Sequence, residues 1–419
     1  MTHPHIPGFR KVPRTGVIYV MHRAQEMGYS MHDAAWVNLG QGAPQTDYIP
    51  GACQRIEQLT VEMSQYEYAP VTGQQTLRQK VADLYNTLYR KNKKSQYTWE
   101  NVSISGGGRV ALTRIVAALG NINMGHFLPD YTAYEELLSI FKAFIPIPIL
   151  LSPDSGYKVP LEQIKKEILG RGLQALLISN PCNPTGQVIS GDLLNDWVSL
   201  AKSLQCSLIF DEFYSHYIYD SAGQGTFPTT NSAAAFIDEV NHDPVIIIDG
   251  LTKNWRYPGW RLSWTLAPKQ VIENIASAGS FLDGGASNLF QTEALKLLEP
   301  DYVEQEAKAL QHCFQEKRDY TIHRLTEMGM EIEVKPEGAF YVWANLSKLP
   351  IPLQDGMAFF EAGLREKVIT VPGIFFDVNP EKRRSHAQYD QYARISFGPE
   401  MKSLQRGLDA LERAIQKAK

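Results

Sequence analysis

Residues 249–264 read DGLTKNWRYPGWRLSW, with Lys253 near the centre. The lysine closely follows an apolar, β-branched run at 245–248 and precedes a Pro-Gly turn and Arg261. This order is typical of an amine held at the edge of a sheet beside an anion site. Such an amine forms a Schiff base only when its neutral form is accessible, which requires desolvation or cationic neighbours, and Arg256 and Arg261 are the candidates. A lone lysine is more often a surface residue, so this stretch alone does not assign a chemical role to Lys253.

Apolar strands elsewhere in the chain also end on polar residues. A run at 175–180 ends in the turn Pro-Cys-Asn-Pro-Thr-Gly, a run at 207–210 ends at Asp211, and 102–105 leads through three glycines into a helical pattern. This rhythm of strand, loop and helix predicts an α/β fold with a mostly parallel sheet that binds its ligand at the carboxyl ends of the strands. The strand at 261–268 follows the lysine loop too closely for a helical crossover, so we expect it to be antiparallel.

The glycine turn at 106–108 is a candidate phosphate site. Glycines let the backbone approach a ligand closely, and the free amides at the start of the following helix favour an anion. The turn lacks the GxGxxG spacing of a dinucleotide site and the GK[ST] ending of a P-loop. These absences argue against nicotinamide cofactors and nucleoside triphosphates.

Length and charge limit the class of protein. At 419 residues the chain is long for one core, so we expect two domains. The large domain is predicted at 46–290, and the smaller α+β domain combines 1–45 with 291–419, including short strands within 368–376. The net charge of −4, without a cationic run, argues against a nucleic-acid partner.

Cysteines and apolar stretches predict the compartment. The four cysteines are scattered, with no CxxC pair and no spacing typical of metal ligands, which indicates free thiols and no metal site. The first residues carry prolines and charges where a signal peptide has an apolar core, and the most apolar stretch, 144–151, is short and broken by prolines. We therefore expect a cytoplasmic protein without a membrane partner.

Together these motifs resemble the class I and II aminotransferases, the fold type I enzymes that depend on pyridoxal 5′-phosphate. The resemblance runs from Gly40 to Arg394 and implies a large domain with a seven-stranded sheet sandwiched by helices. It implies a Schiff base between the cofactor and Lys253, and the same lysine would transfer the α-proton of the substrate. Asp211 would keep the pyridine nitrogen protonated, so that the ring accepts electrons.

The same resemblance implies the other cofactor contacts. Tyr214 and Asn183 would bond to the ring hydroxyl, and Tyr131 would stack on the ring. The residues that would hold the phosphate are Gly107, Gly108 and Arg109 through their amides, Thr252 through its hydroxyl, Arg261 through its guanidinium, and Tyr68 from the neighbouring subunit of a homodimer.

The substrate contacts, and two departures from the family pattern, follow from the same comparison of motifs. Arg394 would bind the α-carboxylate of an amino acid through two parallel hydrogen bonds, in a pocket lined by Gly40. The family usually carries a serine or threonine where this chain has Gly250, and often a glycine where it has Ser263. One phosphate hydroxyl is therefore missing at position 250.

Two reactions stay open from the sequence, because the scaffold supports both. The first is transamination of an L-amino acid. The second is elimination or cyclisation on a cationic amino acid such as a hydroxyarginine, since Asp283 lies where dicarboxylate-specific members place an arginine that reaches the neighbouring site. The adjacent Gly-Gly-Ala run resembles cyclases of the capreomycidine synthase type. A module that kept the fold without chemistry is disfavoured, because Lys253 and Asp211 are both present.

Overall fold

The computed structural model describes residues 8–9, 12, 14, 16–141, 143–219 and 230–419. The strands within them are, in chain order, β1 (Val37–Asn38), β2 (Val102–Ser105), β3 (Asn123–Leu128), β4 (Ile145–Leu150), β5 (Leu173–Ser179), β6 (Ser207–Asp211), β7 (Val245–Gly250), β8 (Ser263–Leu266), β9 (Tyr341–Asn345), β10 (Val368–Ile369), β11 (Val371–Pro372) and β12 (Tyr392–Ser396). The α-helices are α1 (Gly16–Glu26), α2 (Gln75–Tyr89), α3 (Gly108–Ala118), α4 (Ala133–Ile140), α5 (Leu161–Arg171), α6 (Gly191–Leu204), α7 (Lys269–Leu282), α8 (Asn288–Ala294), α9 (Pro300–Glu327), α10 (Gly356–Arg365) and α11 (Met401–Gln416). None of the helices in these residues has the length and hydropathy needed to cross a membrane.

A seven-stranded sheet forms the centre of the fold, in the order β2-β8-β7-β6-β5-β3-β4. Neighbouring strands are parallel except at β8, which is antiparallel to both β2 and β7. Because only the lysine loop separates β7 from β8, the chain has no room for a crossover and must reverse. The predicted mostly parallel sheet and the predicted antiparallel strand are both confirmed.

Helices cover both faces of this sheet. In β7, Ile246 and Ile248 belong to one apolar cluster, together with residues of α3, α4 and α7. Val245 and Ile247 point to the opposite face and belong to a second cluster with α2, α5 and α6. Alternate side chains of an extended strand point to opposite faces, so a strand that is buried on both faces reads as a continuous apolar run.

The C-terminal part of the chain builds two smaller sheets. Strands β11, β12 and β9 form an antiparallel three-stranded sheet, and β10 pairs in parallel with β1. The segment 368–376, where short strands were expected, is divided between these sheets and ends in a 3₁₀ helix at Gly373–Phe376. The N-terminal residues 37–38 therefore pair with the C-terminal part of the chain rather than with the large sheet.

The parallel strands β2, β3, β5, β6 and β7 all end at one edge of the large sheet. The carboxyl ends of these strands and the loops that follow them carry many of the residues that the sequence singled out, among them Asp211, Asn183 and Lys253. This is the edge at which open α/β sheets bind ligands.

Candidate active site

A cleft of about 620 Å³ opens at this edge of the large sheet. Loops after the parallel strands form much of its wall, and β9 and β12 complete it with Tyr341 and Arg394. The predicted site residues that line the cleft are Lys253, Asp211, Tyr214, Asn183, Thr252, Arg261, Arg394, Tyr131, Gly108 and Arg109. Gly40 and Gly107 contact members of this set, whereas Tyr68 and Asp283 do not line the cleft.

Lys253 lies partly buried in the cleft, and its Nζ donates a hydrogen bond to the carbonyl oxygen of Gly42. Desolvation, followed by the positive charges of Arg394, Arg261 and Arg109, lowers the pKa of this amine to about 7. A large fraction of the amine is therefore neutral near pH 7. This is the state that a nucleophilic lysine needs.

Arg256 does not act on this lysine as the sequence suggested. Its Nε donates to Glu306 Oε1 at 2.7 Å, and both side chains are almost fully buried. Its Nη1 also donates to the carbonyl oxygen of Asp47 at 2.7 Å. The expectation for Arg256 is wrong because Glu306 neutralises its charge; Arg394 and Arg109 take its place beside Lys253.

Asp211, at the end of β6, holds its carboxylate beside the cleft with few partners. The hydroxyl of Tyr134 donates to Oδ2 at 2.8 Å, and the backbone N–H of Phe213 donates to Oδ1 at 3.5 Å. Burial raises the pKa of Asp211, against the effect of these two bonds and of the Lys253 charge. A buried carboxylate in this state favours a cationic or N–H partner from the cleft.

Tyr134 is a site residue that the sequence reasoning missed. It follows Tyr131 by three residues, and the two rings pack edge to face with centroids 5.5 Å apart. The hydroxyl of Tyr131 accepts a hydrogen bond from Arg109 Nη2 at 3.1 Å. Tyr131 lies two residues before α4 begins, and the backbone N–H of Tyr134 donates to its carbonyl oxygen at 3.0 Å, so a turn at the helix start brings the two rings together. Two tyrosines three residues apart at the predicted start of a helix were a usable signal.

The start of α3 forms a cradle for an anion. Gly107 has a φ of +100°, and a Cβ at this position would collide with the Arg261 guanidinium. The hydroxyls of Thr252 and of Ser105, at the end of β2, are buried and have no hydrogen-bond partner among the described residues. The backbone N–H of Gly107 donates to the carbonyl oxygen of Ser105 at 2.8 Å, so of the three predicted amides those of Gly108 and Arg109 remain for an anion. Free amides at a helix start, a guanidinium and two unpaired hydroxyls together suit a phosphate group. No sequence motif indicated a role for Ser105.

Arg394, buried on β12, links three separate parts of the chain. Its Nη1 donates to Asn183 Oδ1 at 2.8 Å, and its Nη2 donates to the carbonyl oxygen of Gly40 at 2.6 Å. Its Nε has no partner among the described residues. Asn183 uses its oxygen for Arg394, which leaves its amide nitrogen as a donor. A fixed guanidinium with unused N–H groups at a cleft is suited to a planar carboxylate.

Tyr214 is bonded to a second tyrosine of the cleft. Its hydroxyl lies 2.8 Å from the hydroxyl of Tyr341, and both side chains are buried. No sequence motif indicated a role for Tyr341. No local pattern could have paired it with Tyr214, because 126 residues separate them in the chain and only the fold brings them together.

A sequence model of the family described as "Aminotransferase class I and II" matches residues 34–411. The chain belongs to the aminotransferase class I and II family. It is therefore an enzyme of the pyridoxal phosphate-dependent transaminase type. The resemblance that the motifs indicated is confirmed across nearly the whole chain.

Curated aminotransferases are similar over most of their length. A probable aspartate/prephenate aminotransferase of Aquifex aeolicus is 27% identical over 84% of this chain and 86% of that protein. A probable N-acetyl-LL-diaminopimelate aminotransferase of Bacillus subtilis is 28% identical over 84% of this chain and 82% of that protein. The solved structure of aspartate aminotransferase from Thermus thermophilus with maleate has a TM-score of 0.77 at 22% identity, covering 97% of this chain and 100% of that one. This structural likeness shows aminotransferase fold type I.

The two residues that depart from the aminotransferase pattern are paired on neighbouring strands of the sheet. Gly250 on β7 pairs with Ser263 on β8. A Cβ at Gly250 would lie 2.5 Å from the Ser263 α-carbon and 2.6 Å from the carbonyl oxygen of Leu262, so a serine or threonine does not fit at 250 without a shift of β8. Ser263 is buried and donates to the carbonyl oxygen of Ser105 at 3.4 Å. The chain thus carries a hydroxyl on the facing strand, beside the turn that forms the anion cradle.

Asp283, which was predicted to bind a cationic substrate, forms an ion pair with Arg114 of its own chain. Its Oδ2 accepts from Arg114 Nε at 2.7 Å, and its Oδ1 accepts from Arg114 Nη2. Arg114 lies on α3 and its side chain is only 1% exposed, so its charge requires this partner. The structure therefore does not support the predicted substrate role of Asp283, because its carboxylate serves Arg114.

Replacing Asp283 with asparagine should destabilise the fold without changing substrate preference. The change leaves the buried charge of Arg114 unpaired, and we expect a loss of roughly 2–3 kcal/mol in the free energy of unfolding, below the value for a fully buried pair because Asp283 is partly exposed. Denaturant unfolding measures this loss, with the exposed Asp196→Asn on α6 as control. A selective rise in KM for lysine or ornithine, with no loss of stability, would instead restore Asp283 as a substrate residue.

The depressed pKa of Lys253 predicts how the apoenzyme captures its cofactor. Because that pKa is about 7, against about 10.4 for an ordinary lysine, the neutral amine should dominate above pH 7. The rate of pyridoxal phosphate capture should rise with pH through about 7 and level off near pH 8. Stopped-flow absorbance measures the rate. The reaction of pyridoxal phosphate with Nα-acetyl-lysine, expressed per neutral ε-amine, corrects for the pH dependence of the reagent itself. A corrected rate that still rises steeply at about pH 9 would contradict the lowered pKa.

Proposed function

We propose that this chain is a pyridoxal 5′-phosphate-dependent aminotransferase that acts on an L-amino acid, with Lys253 both joined to the cofactor and responsible for the transfer of the α-proton. The observation that carries the proposal is the position of Lys253. Its amine has a pKa near 7 and shares one cleft with the Asp211 carboxylate and the Arg394 guanidinium. An amine, a carboxylate and a carboxylate-binding group in this arrangement support amino-acid chemistry on a carbonyl cofactor.

The residues of the cleft fit pyridoxal phosphate at both of its ends. The unpaired hydroxyls of Thr252 and Ser105, with Arg261 and the amides after Gly107, would hold the phosphate. Asp211, whose pKa is raised by burial, would hold a protonated ring nitrogen. When bound, the cofactor supplies an aldehyde that condenses with amines and a protonated ring that accepts the electrons left when the α-proton departs.

The groups of the chain then divide the work between binding and proton transfer. Arg394 binds the α-carboxylate of the substrate and fixes the α-carbon, with Gly40 and Asn183 holding the guanidinium in place. Lys253, freed when the amino group of the substrate takes its place, would accept the α-proton at Nζ and deliver it to the cofactor, which is the net proton shift of transamination. Its pKa near 7 suits both tasks, because the amine both accepts and releases a proton easily at neutral pH. Tyr214 offers a hydroxyl to the ring oxygen.

Elimination or cyclisation on a cationic amino acid is the less favoured alternative. It depended on a free carboxylate at Asp283, which is bonded to Arg114. Among the described residues that line the cleft, Asp211 is the one carboxylate, and its proposed partner is the cofactor. The described lining of the cleft therefore has no second carboxylate that could bind a cationic substrate side chain. Transamination is the better-supported reaction.

A homodimer would complete the site, and the exposed aromatic residues support this part of the proposal. Tyr68 is 98% exposed and makes no contact with the cleft of its own chain. Tyr48, Met63 and Tyr66 in the same segment are also largely exposed, and apolar groups exposed together mark an interface. We propose that this segment packs against a second copy and that Tyr68 reaches the partner phosphate site. Sedimentation of the active enzyme should give twice 47.2 kDa, and an active monomer would contradict the interface.

We propose the domain division and the cellular compartment from two separate observations, a strand pairing and the state of the cysteines. The pairing of β1 with β10 supports a small domain of 1–45 with 291–419 beside a large domain of 46–290. The four cysteines are free thiols, which supports a reducing cytoplasm.

A half-reaction assay tests the function most simply. The purified holoenzyme is mixed with single amino acids in the absence of any keto acid, and the cofactor and products are quantified. Conversion of the cofactor to pyridoxamine phosphate, with one equivalent of keto acid per site, is expected for transamination. Many product turnovers per site, with the cofactor unchanged, would instead show elimination or cyclisation.

A further inference from the structure

Tyr341 lies at the meeting point of three groups that the proposed function uses. Its hydroxyl is bonded to Tyr214 at 2.8 Å, and the Arg394 guanidinium lies 4.2 Å from its ring centroid. A Cβ at Gly42 would lie 2.8 Å from the Tyr341 hydroxyl and 3.9 Å from Lys253 Nζ, so these two groups flank the same backbone position. Tyr341 is fully buried at the start of β9 in the three-stranded sheet, whereas Tyr214 lies in the loop that follows β6 of the large sheet.

The hydrogen bond between the two tyrosines can run in either direction. If Tyr214 donates to Tyr341, its only proton is used and it has none for a ligand. If Tyr341 donates, the proton of Tyr214 is free to point into the cleft. Among the described residues neither hydroxyl makes another hydrogen bond, so the direction is decided by their relative acidity.

The surroundings make Tyr341 the better donor. Burial raises the pKa of Tyr341 to about 12, and the positive charge of Arg394 over its ring opposes that rise. Burial raises the pKa of Tyr214 well above its usual range, the neighbouring Tyr341 raises it further, and Arg394 opposes this rise as well. The guanidinium lies over the Tyr341 ring, 4.2 Å from its centroid, so its charge acts more strongly on Tyr341. A phenol that lies beneath a guanidinium is the better hydrogen-bond donor, which favours a bond that runs from Tyr341 to Tyr214.

We propose that Tyr341 is a positioning residue that donates its hydroxyl proton to Tyr214 and thereby directs the Tyr214 proton to the ring oxygen of the cofactor. The inference rests on the proposed function. Hydrogen bonds in a chain polarise one another, so Tyr341 also strengthens the bond that Tyr214 makes. That bond would stabilise negative charge on the ring oxygen and so make the nitrogen of Lys253, once joined to the cofactor, easier to deprotonate.

Four proteins test this order of action: wild type, Tyr341→Phe, Tyr214→Phe and the double variant. The readout is the midpoint of the pH titration of visible cofactor absorbance in the holoenzyme without substrate. Tyr341→Phe keeps the ring under Arg394 and removes only the hydroxyl, so the midpoint should rise by about 0.3–1 pH unit. Tyr214→Phe should raise it further, and the double variant should match Tyr214→Phe, because Tyr341 acts only through Tyr214. The control is Tyr219→Phe, which removes a buried hydroxyl bonded to the backbone of Ala339.

The outcomes separate this inference from the proposed function. An unchanged midpoint in Tyr341→Phe overturns the positioning role, as does a shift that persists undiminished in the Tyr214→Phe background. In both cases a wild type with a titrating visible band leaves the proposed function intact. A wild type that shows no visible band with added pyridoxal phosphate overturns both.

Discussion

Replacing Lys253 with alanine should reduce turnover by at least about 10⁴-fold. In the proposed function, the substitution removes the amine that joins the cofactor and, with it, the base that takes the α-proton from the substrate. Because the cavity left behind opens to the cleft rather than to the core, we expect the free energy of unfolding to change little. Steady-state and single-turnover assays with the preferred amino acid measure the loss, and thermal unfolding of the apoenzyme checks the fold.

A matched lysine shows that the loss is specific to position 253. Lys308 on α9 is exposed and pairs with Glu304, four residues earlier on the same helix. Lys308→Ala should retain the turnover of the wild type, since an exposed helical ion pair contributes little. Lys253→Ala with activity within a factor of ten of the wild type would show that another residue does the chemistry.

The second largest effect is expected for Asp211→Asn, a fall in kcat on the order of 10²–10³. Asparagine keeps the shape of the side chain and can accept from Tyr134, but it has no charge with which to keep the ring nitrogen protonated. The neutral ring is a poorer electron acceptor, so removal of the α-proton slows. Deuterium substitution at the substrate α-carbon should then slow kcat more strongly than in the wild type, because proton abstraction becomes rate-limiting.

Tyr134 provides the graded comparison for Asp211. Tyr134→Phe removes one hydrogen bond from the carboxylate, at 2.8 Å, and leaves its charge. We expect a fall in kcat of about ten-fold or less, since one neutral hydrogen bond is lost. If Asp211→Asn and Tyr134→Phe reduced kcat equally, the charge of Asp211 would not be the property that supports catalysis.

The parts of the fold that the sequence predicted are those with a strong local signal. The run 245–248 is apolar because β7 is buried on both faces, and the short loop before β8 forces an antiparallel pair. Asp211, Asn183 and Lys253 could be located because each lies at the carboxyl end of such a strand or in the loop that follows it. Parallel strands end at one edge, so their polar neighbours had to converge.

The missed contacts depend on pairings between distant parts of the chain. Tyr341 joins Tyr214, and Glu306 neutralises Arg256, only after the C-terminal half packs on the large sheet. Asp283 was read as a free carboxylate because nothing local shows its partner on α3. The division of segment 368–376 between two sheets was also missed. Its strands pair with β1 and β12, which are distant in the chain, and no local sequence pattern indicates these partners.

The central claim is that one amine, Lys253, holds the cofactor covalently. Reduction of the yellow holoenzyme with sodium borohydride makes that bond permanent, and peptide mapping by mass spectrometry then locates it. The account predicts a single phosphopyridoxyl group on the peptide that contains Lys253, with no label in Lys253→Ala. A label on any other lysine, or none in the wild type, would contradict it.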